Sequence, residues 1–333
     1  MKNLFITLGL SLLFACPASA QGGQEPPLIG PVRSMRVETA RFSDESGAWM
    51  EGPRVLIHAA SYHTNGKITE RADYNGDGSL KERRVSTYDV KGNETQRVWY
   101  DASGSLLCKQ VNIYDGKGNM TEWEWYDATG SPISKQVYAY DTNGNETEVA
   151  CYQKGSLTIR CVYAYDGKGN ETERTCYHAD GSLSFMQVTT YDAQGNMTEE
   201  AMYSADGSLM TKIEQIFDDN GKMTGQTHYN AHAILATNFV YTHDANGTRV
   251  EEICYQSGGT VCGKWVYGCD ANGNQTEMER YNGDGFLEEK WVFTYQFDSP
   301  GNWIKRTTST WVTKDGKSYF EPTEVNYRTI AYY

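Results

Sequence analysis

At 333 residues, with 24 Tyr, 33 Gly and a formal charge of −13, the chain is excluded from several protein classes at once. Its 13% aromatic content is too high for a disordered acidic chain, and its acid excess opposes a phosphate-rich nucleic-acid partner. No apolar run reaches the roughly 18 residues of a helical membrane span, so no transmembrane segment is expected in the mature chain.

Residues 1–20 read as an export signal. Lys2 is the positive end, Leu4 to Ala15 the apolar stretch, and Ala18-Ser19-Ala20 a small-residue cleavage site. A secreted or periplasmic location is expected. A second export reading takes Leu13-Phe14-Ala15-Cys16 as a lipoprotein box anchored at Cys16, a pattern that bulky Phe14 fits poorly. Cleavage after residue 20 leaves Cys108, Cys151, Cys161, Cys176, Cys254, Cys262 and Cys269, an odd number that cannot all pair within one chain. Residues 21–30, with Pro26-Pro27, read as a flexible leader. Residues 31–61 read as N-terminal capping strands: Val32 to Phe42, the turn Asp44-Glu45-Ser46-Gly47, then Val55 to Tyr62.

From 62 to 302 the chain is an array. Units begin at Tyr62, Tyr88, Tyr114, Tyr140, Tyr165, Tyr191, Phe217, His243 and Cys269, with a worn tenth from Tyr295; the period is 26 residues, once 25. Each unit holds one turn pattern twice, as in Tyr114-Asp115…Gly118 and Tyr126-Asp127…Gly130. Asp at the first turn position caps backbone N–H groups, and Gly at the fourth adopts the left-handed conformation of a bulged hairpin. Between turns lie segments of about nine residues rich in Tyr, Thr, Val and Trp, which is strand composition. The expected fold is all-β: a repeat array of antiparallel hairpins forming one long coiled or spiralling meander sheet. Residues 303–333 read as C-terminal capping strands over its open edge.

Alternation assigns Tyr114, Tyr126 and Leu106 to one face, and Val111 and Val137 beside Thr95 and Thr121 to the other. Neither is purely polar, and which lies inside stays open. Register offers one cross-link: with Gln256 opposite Thr260 and Tyr255 opposite Val261, Cys254 faces Cys262 as a candidate disulfide. Cys151 and Cys176 fall two strands apart, too far to bridge.

The recurrent Tyr-Asp-x-x-Gly-Asn, as in Tyr88-Asp89…Gly92-Asn93 and Tyr140-Asp141…Gly144-Asn145, resembles the YD or RHS repeat over residues 62–302. That resemblance implies a β-sheet shell and an extracytoplasmic setting, and carries over no catalytic residue. Trp99-Tyr100-Asp101 and Trp125-Tyr126-Asp127 look like the aromatic hairpins of choline- and glucan-binding repeats. By that likeness Trp99, Tyr100, Trp125 and Tyr126 are candidate glycan-stacking aromatics.

Other constellations yield to plainer readings. Asp73-Tyr74-Asn75-Gly76-Asp77-Gly78 imitates a calcium loop, but Arg84 stands where a bidentate Glu is needed. His228 and His232 have zinc-like spacing at a degraded turn and read as a solvated loop. Glu122, Glu148, Glu173, Glu199, Glu251 and Glu277 form a ladder that reads as a solvated stripe paired with Lys109, Lys135 or Lys264. No catalytic residue, metal site or cofactor is expected. The expectation is a non-enzymatic exported surface for binding or scaffolding, its partner an unknown protein or polysaccharide at the cell surface. Alternatives are a cell-wall or polysaccharide-binding module, and a remnant or accessory of a toxin-shell system.

Overall fold

Each Tyr-Asp-x-x-Gly-Asn segment closes a hairpin in the same way. In the computed structural model, which describes residues 28–45 and 47–333, the Asp115 N–H donates to Asn119 O and the Gly118 N–H to Asp115 O. The Asp115 carboxylate accepts from the N–H groups of Lys117 and Asn119 and from the Asn119 side-chain amide. Gly118 takes φ +97°, which a side chain would oppose. The single 25-residue period also has a local cause. Between Gln153 and Ser156 the turn is two residues, Lys154 and Gly155, both at positive φ, as a type I′ hairpin requires. The expected signal at 1–20 and the Cys16 anchor lie outside the described residues.

β1 (Val32–Glu45) and β2 (Ala48–Glu51) form a short hairpin, and β3 (Val55–Tyr62) returns beside the first half of β1. The array then supplies β4 (Ile68–Tyr74), β5 (Leu80–Tyr88), β6 (Glu94–Asp101), β7 (Leu106–Tyr114), β8 (Met120–Asp127) and β9 (Pro132–Tyr140). It continues with β10 (Glu146–Gln153), β11 (Ser156–Tyr165), β12 (Glu171–His178), β13 (Leu183–Tyr191), β14 (Met197–Ser204), β15 (Leu209–Phe217) and β16 (Met223–Tyr229). The last are β17 (Leu235–His243), β18 (Arg249–Gln256), β19 (Val261–Cys269), β20 (Gln275–Asn282), β21 (Leu287–Phe297), β22 (Trp303–Lys314) and β23 (Lys317–Tyr332).

Strands β3 to β23 pair consecutively and antiparallel, as the turns demand. The expectation of an open coil is corrected at the ends. β23 pairs with β1 from Val32–Tyr332 to Arg41–Glu324, and β1 pairs with β3, so the sheet closes into a 22-stranded barrel with β2 hanging from β1 alone. The terminal strands do not cover two edges; they join them, and closure leaves only the four-residue β2 as an edge strand among the described residues. A side-chain latch holds the seam. The Ile29 N–H donates to Asn302 Oδ1 at 2.7 Å, while Asn302 Nδ2 donates to Ile29 O and to the Tyr332 hydroxyl, both at 2.8 Å. The residue at the leader's end is thereby pinned to the last turn of the array.

Register steps forward evenly. Trp99 lies opposite Cys108, and Cys108 opposite Asp127, two residues beyond Trp125, the counterpart of Trp99 one unit on. Twenty-two strands with such a stagger tilt by about 37°, and a circular ring of them has a backbone diameter of about 40 Å.

The two faces differ in crowding. Val149, Cys151, Cys161, Cys176 and Phe185 share one face and form a buried cluster with Tyr138 and Met202 packed on it. The opposite face carries Glu122, Lys135, Glu148 and Arg160 in ion pairs open to solvent. In a closed ring the concave face is the crowded one, so the first face is the inside. The expected grouping of Tyr114 with Tyr126 is corrected: Tyr114 shares the inner face with Asn112, whereas Tyr126 points outward with Val137. Thr121 is the cause. Tyr114 pairs with Met120 but Ile113 with Glu122, so Thr121 is a bulged residue and every side chain after it changes face.

The recurrent tyrosine has a structural task. Its hydroxyl reaches back over the preceding turn to a backbone carbonyl: Tyr114 to Glu94 O, Tyr140 to Met120 O, Tyr165 to Glu146 O and Tyr191 to Glu171 O, at 2.7–3.0 Å. Lys91, Lys117 and Lys168 do the opposite, each donating to a carbonyl of the next turn along. Tyr140→Phe is expected to cost about 1 kcal/mol in urea unfolding, the net value of one such bond. An unchanged midpoint would show that the hydroxyl is dispensable.

Candidate functional site

Period-two alternation in Trp123-Glu124-Trp125 places both indoles on the inner face of β8. Trp99 on β6 joins them across β7: the Trp99 and Trp125 centroids are 4.7 Å apart at 39°, and Trp123 and Trp125 are 5.9 Å apart at 43°. Amides flank the rings. Gln110 is opposite Trp125, and both Asn112 and Gln136 are opposite Trp123. Gln110 donates to Asn112 Oδ1 at 2.8 Å, and buried Asn112 donates to Glu94 O at 2.7 Å. The Arg97 guanidinium pairs with Glu94 and sits 5.8 Å over the Trp99 ring.

This stripe continues around the wall. Tyr138 faces Val149, Arg174 pairs with Glu171 at 3.1 Å, Gln187 donates to Glu200 at 2.9 Å, and Arg249 pairs with Glu252 at 3.0 Å. Burial pushes the carboxyls of Glu146, Glu200 and Glu252 above the ordinary range, against the pull of Arg174 on the first two and Arg249 on the third. Burial likewise pushes the Tyr241 and Tyr267 hydroxyls up to about 12. Among the described residues the largest side chains fully withdrawn from solvent are Val325 and Cys176. Phe185, Tyr241 and Tyr267 are buried, but Trp99, Trp123 and Trp125 are only half-buried, so that stretch of the inner wall is a lining rather than a packed core.

The outer face is built differently. At one end Tyr100, Tyr126, Tyr229 and Tyr281 lie under Arg83, Lys109, Lys212 and Lys264, at 4.6–5.8 Å. Across the middle run Lys135–Glu122, Arg160–Glu148, Lys212–Glu199, Lys264–Glu251 and Lys290–Glu277. Five of the six ladder glutamates are thus salt-bridged, while Glu173 accepts from the Thr175 hydroxyl at 2.6 Å and Lys109 serves Tyr126 instead. Among the described residues, ion pairs thus occupy both faces of the wall, and no helix is long and apolar enough to cross a membrane.

The four aromatics grouped by sequence are divided by the wall. Trp99 and Trp125 point inward and meet; Tyr100 and Tyr126 point outward, where the Tyr126 hydroxyl donates to Glu124. Adjacent strand residues cannot share a face, a signal available from alternation alone, which also would have found Trp123. The Asp73 carboxylate is held by Arg71 and His58 and Asp77 caps Ser79, so these oxygens do not converge on a cation. His228 is half-buried, edge-on to Phe239 at 6.0 Å, while His232 sits in the turn. Among the described residues no metal-binding cluster is present.

The Cys254–Cys262 bridge is present, with Cα atoms 5.3 Å apart, but its register differs from expectation: Cys254 opposes Gly263, and Cys262 is a bulged residue that still reaches across. A second bridge joins Cys161 and Cys176, directly opposed on β11 and β12 with Cα atoms 4.0 Å apart. Counting outward from the Asp166–Asn170 turn, with its one-residue bulge, would have found it. Cys108, Cys151 and Cys269 are thiols.

Acid acts on the two carboxylate sets in opposite senses. Asp115 and Asp141 sit below the ordinary range, held first by the backbone N–H groups of Asn119 and Asn145 and then by their amides. Their stabilising contribution is full above about pH 4 and is lost as pH falls through the lowered native values. The raised inner glutamates contribute fully below about pH 4 and lose that contribution as pH rises through their native values. A melting temperature that peaks at about pH 5 is expected in a pH series; a monotonic rise to pH 8 would contradict this balance.

No family model and no curated protein matches this sequence. Among solved structures, the chain is similar to TcdB2-TccC3-TEV, at 15% identity and TM-score 0.26, over 83% of this chain and 19% of that one. It is also similar to porin-like proteins from Bacteroides uniformis (10% identity, TM-score 0.25, 91% and 98% covered) and Bacteroides vulgatus (11%, 0.19, 89% and 97%). Superpositions this poor carry no argument about what the chain does.

Proposed function

We propose that the chain is an exported, non-enzymatic, YD/RHS-like barrel that holds a ligand or partner against its inner wall. One observation carries the reading: around Trp99, Trp123 and Trp125 the wall is a half-accessible lining of rings and amides instead of a filled core. Arg97, Arg174 and Arg249 each pair with a glutamate there, so part of the wall's charge is neutralised within it. Export is supported by the signal-like residues 1–20 and by two disulfides, which persist in oxidising compartments. The YD-like turns supply the scaffold. The test is acrylamide quenching of tryptophan fluorescence in the purified barrel, alone and with fractions of its own cell envelope. Protection by at least one fraction is expected; unchanged quenching with every fraction would overturn the binding role.

A further inference from the structure

The geometry points to the Trp99–Trp123–Trp125 stretch of the inner wall as a site for an uncharged saccharide chain. This assignment rests on the binding role above and names its ligand class. Three indoles, with Trp125 within 6 Å of both Trp99 and Trp123, provide flat apolar area where truncation costs are usually largest. All three are half-buried rather than sealed from solvent, and each carries an indole N–H donor at its ring edge. Half-buried rings, with Gln110 between the strands of Trp99 and Trp125 and Gln136 beside Trp123 on the next strand, suit a ligand with apolar faces and hydroxyl edges. A pyranose has both. A flat aromatic ligand would leave the indole and amide groups unmatched, and a polyanion meets a chain of charge −13. Arg97 is already bound to Glu94, so the site offers no uncommitted cation for an acidic sugar. The wall is a surface running from strand to strand, not an enclosed cavity, and fits an extended chain better than a single ring.

The experiment titrates the whole mature barrel with cellohexaose, maltohexaose and chitohexaose, read by calorimetry and by tryptophan fluorescence. At least one should bind and shift the emission. Trp99→Ala and Trp125→Ala should each weaken it about tenfold or more, whereas outward Tyr100→Ala should change it less than about twofold. Circular dichroism checks folding. Where an alanine variant does not fold, Trp99→Phe keeps a ring but removes the N–H and should weaken binding about threefold. Tryptophan variants that bind like the parent overturn the site. Failure of all three oligosaccharides, with tryptophans still protected by an envelope fraction, overturns the saccharide assignment alone; absence of protection as well overturns the binding role itself.

Discussion

A chain truncated after Gly316 is expected to lose its soluble monomeric form. The deletion removes β23, the one strand that joins β22 to β1. Its two ladders span Lys305–Tyr327 to Lys314–Lys317 on one side and Val32–Tyr332 to Arg41–Glu324 on the other. At about 1 kcal/mol net per ladder bond, their loss is comparable with the 5–15 kcal/mol that stabilises an ordinary domain. The consequence exceeds the lost energy, because β1 and β22 become long unpaired edges of a sheet with no other protection. Size-exclusion chromatography should show large assemblies, and thioflavin T fluorescence should rise. A soluble monomer with unchanged circular dichroism would mean that the seam is not what holds the ring. Asn302→Ala tests the same seam more gently: it removes the latch to Ile29 and Tyr332, and about 2 kcal/mol is expected at urea equilibrium.

The second large effect concerns Cys161–Cys176. A loop of 15 residues closed by a disulfide restricts the unfolded chain by about 3 kcal/mol. Cys176 is also fully buried within the cluster of Val149, Cys151 and Phe185, so Cys176→Ala removes packing together with the bond. A fall of about 6–12 °C in melting temperature follows from 2–4 °C per kcal/mol for larger domains. Cys254→Ala opens a separation of only 8 residues inside one tight hairpin, and its effect should be smaller. Reductant should reproduce the larger fall in the parent and not in the Cys161→Ala/Cys176→Ala variant. Thiol titration of the denatured mature chain should find three reactive groups, from Cys108, Cys151 and Cys269. A count of seven would remove both bridges.

The same two features mark how far residues alone could be read. Turns and strands were legible because their causes are local. Asp115 caps its own turn, Gly118 turns left-handed within it, and the Thr- and Tyr-rich segment that follows extends. Cys254–Cys262 was legible for the same reason, since one short hairpin brings both together. Cys161–Cys176 was equally local but lies across the other kind of turn. The side-chain faces were misread at Tyr126 because a single bulged residue, Thr121, inverts the alternation, and a bulge leaves little trace in composition.

By itself, then, the sequence determined the repeat, the hairpin turns, the antiparallel order and the strand composition, all of which act over fewer than about thirty residues. Only the tertiary structure decided that the ribbon closes, which face lies inside, and that Trp99, Trp123 and Trp125 meet there. Closure depends on the twist and stagger summed over every hairpin until β23 meets β1. No single repeat encodes that sum, whereas each repeat encodes its own bend.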